Sequence, residues 1–126
     1  MRDSIILKKS KVFALRIIKL YKYLNEAKRE HILSKQLLRC GTSIGANVKE
    51  AVYAQSKADF TAKLFIAQKE CAETEYWLEL LYESEYVNKT EFDSVYGDCQ
   101  ELMNMIVAST KTLQGKNNSS LLSSNS

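Results

Sequence analysis

Apolar residues recur at alternating steps of three and four along four stretches of the chain, the spacing that lays a stripe down one face of an α-helix. The most regular stripe is Phe60, Leu64, Ala67, Cys71, Thr74, Leu78 and Leu81, which predicts a helix over 57–86. Another, Phe92, Val95, Cys99, Leu102, Ile106, Ser109 and Leu113, predicts a helix over 90–113. Thr90 is its expected N-cap, with Asp93 completing a capping-box variant. Leu33, Leu37, Cys40, Ile44, Val48 and Ala51 predict a helix over 32–54. Ile6, Phe13, Ile17, Leu20 and Leu24 predict the first, over 4–30, with Asp3 or Ser4 as its cap. Here Val12, Leu15, Ile18 and Tyr21 widen the apolar surface, which suits a helix touching several neighbours. Helices with sustained three–four spacing pack at shallow angles. The pattern therefore predicts an all-α fold, an antiparallel up-down-up-down four-helix bundle over residues 1–114. Residues 115–126 are Gly, Lys, Asn, Ser and Leu alone, a polar low-complexity tail expected to be disordered.

Composition narrows the choice further. With no proline and four glycines in 126 residues, the chain lacks the turn formers of a sandwich or barrel, while 45% apolar residues suffice for a core. No run approaches the roughly 18–20 apolar residues of a spanning helix. Ile5-Ile6-Leu7 meets Lys8-Lys9 at once, so no signal-peptide core follows the start. A cytoplasmic protein with no membrane partner is expected. Cys40, Cys71 and Cys99 lie far apart, without a CxxC, on the predicted stripes. They are expected to be buried free thiols. Gly41 and Gly45 lie inside the second helix, where each costs about 0.5–1 kcal/mol relative to alanine. Either another helix approaches closely at that face, or the helix kinks near residues 40–43.

Little in the chain points to catalysis. His31 is the only histidine and falls at a predicted turn. There is no GxSxG, P-loop, GxGxxG or HExxH, and a di-iron Glu-x-x-His is ruled out because Lys28 stands three before His31. No catalytic residue, cofactor, metal or small-molecule substrate is expected. Polar residues on the second helix are more telling: Gln36, Ser43, Asn47 and Glu50 share a face beside the apolar stripe. They are expected to form a structural network with Glu70 and Glu73, with hydrogen bonds from Asn47 and Glu50 to the third helix. Tyr76, Trp77, Tyr82 and Tyr86 crowd the end of that helix and are expected to pack.

Charge is uneven. Residues 1–39 hold eleven Lys/Arg against three Asp/Glu, a net of +8, and residues 40–126 hold seven against twelve, a net of −5. Lys8, Lys11, Arg16, Lys19 and Lys22, with Lys35 and Arg39 nearby, are the candidate surface for an anionic polymer. The competing outcome is that the acidic third helix, with Glu70, Glu73, Glu75, Glu79, Glu83 and Glu85, neutralises them within the bundle or between subunits.

Ser43 to Ala51, then Asp59-Phe60, then Phe65 to Leu78, resemble the 23S rRNA intervening-sequence protein family, small bacterial four-helix-bundle proteins. Gln36 to Arg39 and Lys9 to Phe13 also fit, so the resemblance covers about residues 5–113. The family pattern often has glycine where this chain has Ala51, with no bearing on fold. The resemblance implies a ring, typically a homopentamer. Some members are encoded within insertions in large-subunit ribosomal RNA genes. A related branch accompanies the reverse transcriptases of diversity-generating retroelements and binds nucleic acid through a basic surface. For most members no activity is established, and the name records gene location. The expected function is that of a non-enzymatic homo-oligomeric bundle that binds RNA or a ribonucleoprotein partner through the first helix. The alternative is a protein–protein scaffold without nucleic-acid contact.

Overall fold

The computed structural model describes residues 2–125, with side chains described for 5–112. The elements are α1 (Arg2–Glu26), α2 (Leu33–Val52), α3 (Lys57–Glu83) and α4 (Lys89–Asn125). Asp3 and Ser4, expected to cap α1, lie inside it, and α4, expected to end at 113, runs to Asn125 through the stretch expected to be a disordered tail.

Side-chain contacts fix the direction of each helix. Ser10 lies beside Gly45, Ile17 beside Gly41, and Asn25 Nδ2 donates to Ser34 Oγ at 3.1 Å, so α2 runs against α1. Arg39 pairs with Glu73, and Glu50 lies 3.9 Å from Lys63, which sets α3 against α2. Cys99 Sγ donates to the Cys71 carbonyl at 3.5 Å, and Tyr96 Oη to Glu79 at 2.9 Å, setting α4 against α3. Lys9 with Glu101, and Arg16 with Asp98, close the circuit between α4 and α1. The result is an up-down-up-down bundle in which α1 and α3 occupy diagonal corners.

The core is the predicted set of stripes. Leu33, Phe60 and Phe92 are half-buried at its ends, and the other stripe residues with described side chains are buried, the three free cysteines included. The helix does not break near 40–43: α2 runs unbroken through these residues. Close approach is the reason for its glycines. A Cβ on Gly41 would stand 2.9 Å from both γ carbons of Ile17, and one on Gly45 would stand 3.3 Å from Ser10 Oγ.

Helix ends differ from expectation in instructive ways. α1 stops at Glu26 rather than 30, with Arg29 at φ 53° turning the chain. The Glu30 carboxylate then folds forward over the start of α2. It accepts from the backbone N–H groups of Ile32 at 3.0 Å, Leu33 at 2.8 Å and Ser34 at 2.7 Å. Ser34 Oγ donates back to the Glu30 carbonyl at 2.8 Å. These are orphan donors of a helix start, satisfied by a glutamate from outside the helix. α3 ends at Glu83 with Glu85 at φ 69°, and bonds from Tyr86 N to Leu81 O (2.9 Å) and Glu85 N to Tyr82 O (3.0 Å) form a Schellman pattern. α4 begins one residue early because Asn88, not Thr90, is the cap, its Oδ1 accepting from Glu91 N at 2.8 Å.

Candidate interaction surfaces

The seven candidate cations separate into two groups. Arg16 is pinned to α4: its guanidinium donates to Asp98 at 2.6 Å and Ser94 Oγ at 2.7 Å, with Glu91 at 3.9 Å. Lys9 is likewise tied to Glu101. Arg39 is committed to α3, paired with Glu73 and 3.7 Å from Glu70, while its Nε donates to Gln36 at 3.3 Å. Lys8, Lys11, Lys19 and Lys22 stand exposed on the outward face of α1, and Lys35 stands exposed on α2. None of these five makes an ion pair with another described residue.

The expected polar network is only partly assembled. Gln36, Glu70 and Glu73 gather around Arg39 between α2 and α3. Burial, and next the Glu73 charge, push the Glu70 carboxyl above its ordinary value, against the opposing pull of Arg39 and Lys69. Its Oε2 is buried without a hydrogen bond. Asn47, in contrast, does not bond across to α3. Its amide donates to the Ser43 carbonyl of its own helix at 2.8 Å, the local bond open to a short amide side chain. Glu50 is 61% exposed, too solvated for a buried hydrogen bond, and meets α3 only through Lys63 at 3.9 Å.

One feature escaped the sequence reading, and a second was read there only in part, from Val12 and Leu15. α3 carries a second stripe on the side away from the core: Ala58, Ala62, Phe65, Lys69, Ala72 and Tyr76 are exposed at the same three–four spacing, beside exposed Ile66. The signal lay in a second phase of the same periodicity, masked by the stronger inner stripe. α1 has a counterpart in Ile5, Lys8, Val12, Leu15, Lys19 and Lys22, all exposed. Val12 and Leu15 are 66% and 58% exposed, so within the bundle they meet no neighbour's core. With α1 and α3 at diagonal corners, the two stripes face away from each other.

Reactive chemistry is muted. His31 is exposed, its Nδ1 2.5 Å from Asn25 Oδ1. Burial pushes the Cys40 thiol up to about 11. The bond to Cys71 and burial push up Cys99. Among the described residues, no group of three His, Cys, Asp or Glu side chains converges as metal ligands, and no helix is long and apolar enough to cross a membrane. The aromatics at the far end of α3 pack: Tyr82 stacks on Phe92 with centroids 4.5 Å apart, and Phe92 lies 4.8 Å from Tyr96. Tyr76 meets Trp77 edge-on at 5.3 Å.

Residues 2–108 match the profile of the 23S rRNA-intervening sequence protein family. A solved structure of a protein of unknown function from the S23 ribosomal protein family of Bacteroides thetaiotaomicron VPI-5482 is similar, with 49% sequence identity and a TM-score of 0.87. The similarity covers 88% of this chain and 99% of that one. No curated protein matches.

Proposed function

The chain belongs to the 23S rRNA-intervening sequence protein family, and on that premise we propose that it is a non-enzymatic, cytoplasmic assembly module whose copies dock α1 of one bundle on α3 of the next. The observation that carries this reading is the pair of outward stripes at opposite corners, one on α1 and one on α3. A helix apolar on two sides calls for a partner on each. Different patches meeting head to tail generate a ring when the rotation closes, and a homopentamer is the ring this reading takes. Height along the bundle supports the match. Ile17 faces Gly41, and Arg39 faces Glu70 and Glu73, so Val12 and Leu15 stand level with Phe65 to Ala72. Lys19 and Lys22 stand level with the acidic C-terminal half of α3, where Glu83 is exposed. Copies standing side by side thus bring Val12 and Leu15 to Phe65, Ile66 and Ala72, with Lys69 among them, and Lys19 and Lys22 toward Glu83. Sedimentation equilibrium of the full chain tests this: a species several times 14.4 kDa is expected, and a 14.4 kDa monomer at micromolar concentration rejects it.

A second reading, RNA or ribonucleoprotein binding along α1, is favoured by Lys8, Lys11, Lys19 and Lys22 making no ion pair with another described residue, with Lys35 nearby. Arg16 and Arg39 contribute less, since their charges are already met by carboxylates. Reversing the four lysines to glutamate separates the readings. Loss of RNA binding by an intact oligomer supports the open basic face, and affinity should then fall steeply with salt. Collapse of the oligomer supports assembly through these residues.

A further inference from the structure

A cleft of about 840 Å³ opens at one end of the bundle, between α1 and the turn that joins α3 to α4. Its size lies in the range of small-ligand sites. Leu20 and Val87, both core residues, contribute an apolar floor. Tyr23, Tyr82 and Tyr86 also line it, and Tyr82 is held in place by its stack on Phe92. Four cations, two carboxylates and Asn88 complete the lining, so the charge balance is positive. Among the cations, Arg16 is engaged by Asp98 and Lys89 by Asp93 at 2.8 Å, whereas Lys19 and Lys28 make no ion pair with another described residue. The cleft therefore offers aromatic surface, an apolar floor and two uncommitted ammonium groups together.

We infer that this cleft takes a nucleotide unit, an aromatic base carrying a phosphate, with the base against Tyr23 and Tyr86 and the phosphate toward Lys19 and Lys28. Tyrosine rings stack on any base, and lysine serves a phosphate as a point charge. Glu85 and Glu91 at the same cleft supply acceptors for the N–H groups of a base. The unit comes either as a free mononucleotide or as one residue of a single-stranded RNA, and the two sources share this chemistry. The site shares Lys19 with the proposed docking face, whereas Tyr23, Tyr86 and Lys28 lie outside it: a monomer that still takes the ligand here would remove the assembly and keep the cleft.

The test titrates isotope-labelled full-length protein with adenosine monophosphate, with a short oligoadenylate and with inorganic phosphate, following amide resonances. A nucleotide in the cleft moves the signals of Tyr23, Tyr86 and Val87. Binding by the mononucleotide supports free nucleotide as a source, and binding by the oligonucleotide alone supports the RNA chain. Tyr23→Ala and Lys28→Ala replace exposed residues and should leave the melting curve unchanged. Each should weaken binding about tenfold or more, with phosphate alone weaker by a similar factor. The inference is overturned if neither nucleotide moves the cleft signals. It is also overturned if binding is indifferent to Tyr23→Ala. Oligonucleotide binding abolished by Lys8→Glu and Lys11→Glu but unaffected by Tyr23→Ala would preserve RNA binding along α1 and eliminate the cleft.

Discussion

Gly41, Gly45 and Gly97 are all glycines within helices, yet their surroundings differ. Gly41 admits Ile17 so closely that an added Cβ would sit 2.9 Å from two of its carbons, both in a buried, branched side chain with nowhere to move. Gly97 faces open space, with nothing within 4 Å of an added Cβ. Gly41→Ala should therefore lower stability by about 1–3 kcal/mol through overpacking. Gly97→Ala should raise it by about 0.5–1 kcal/mol, since only the helix penalty of glycine is removed. Urea denaturation of the two variants checks the opposite signs. The sequence marked Gly41 and Gly45 as unusual from their place in an apolar stripe. It could not choose between a kink and a close neighbour, because the difference lies in the position of α1, distant in sequence.

At the scale of elements, the helices were legible because their signal is local: each stripe is a run of residues that see one another through helical periodicity. Ends were less legible, and α2 shows why. Its cap is Glu30, reached through a left-handed residue at Arg29, and no capping residue precedes Leu33 in the usual place. Burial works to raise the Glu30 carboxyl, but the backbone N–H groups of Leu33, Ser34 and Ile32 together hold it below its ordinary value of 4.5. A group whose folded value is depressed stabilises the fold fully above its unfolded value, and that contribution is lost as pH falls through the folded value. Glu30→Gln should accordingly cost about 1–2 kcal/mol at neutral pH. The gap between variant and parent should narrow as pH drops below about 4.5, the unshifted value. Denaturation at a series of pH values measures both effects. The polar side of α2 failed for a related reason. Arg39 drew Glu70, Glu73 and Gln36 together, while Asn47 was satisfied within its own helix, and spacing alone does not say which amide has a closer partner at home.

The whole molecule presents two outward stripes, and their consequence is measurable without knowing any ligand. If copies associate through them, folding is linked to association and the melting temperature rises with protein concentration. Phe65→Glu places a charge in the outer stripe of α3, on an exposed residue, so the isolated bundle should still fold. The expected result is a helical monomer whose melting temperature no longer depends on concentration; circular dichroism at several concentrations reads it. The amino-acid sequence by itself determined the number of helices, their inner faces, the burial of the three cysteines and the family, because all of these follow from periodicity and from short stretches of residues. Tertiary structure alone decided how the charges are used. Lys9, Arg16 and Arg39 are spent on carboxylates of α3 and α4, whereas Lys8, Lys11, Lys19 and Lys22 are left outward around Val12 and Leu15. Ion pairing depends on the azimuth and height at which two helices meet. Those are set by packing between segments far apart in the chain, and in this bundle by the close approach of Ile17 to Gly41.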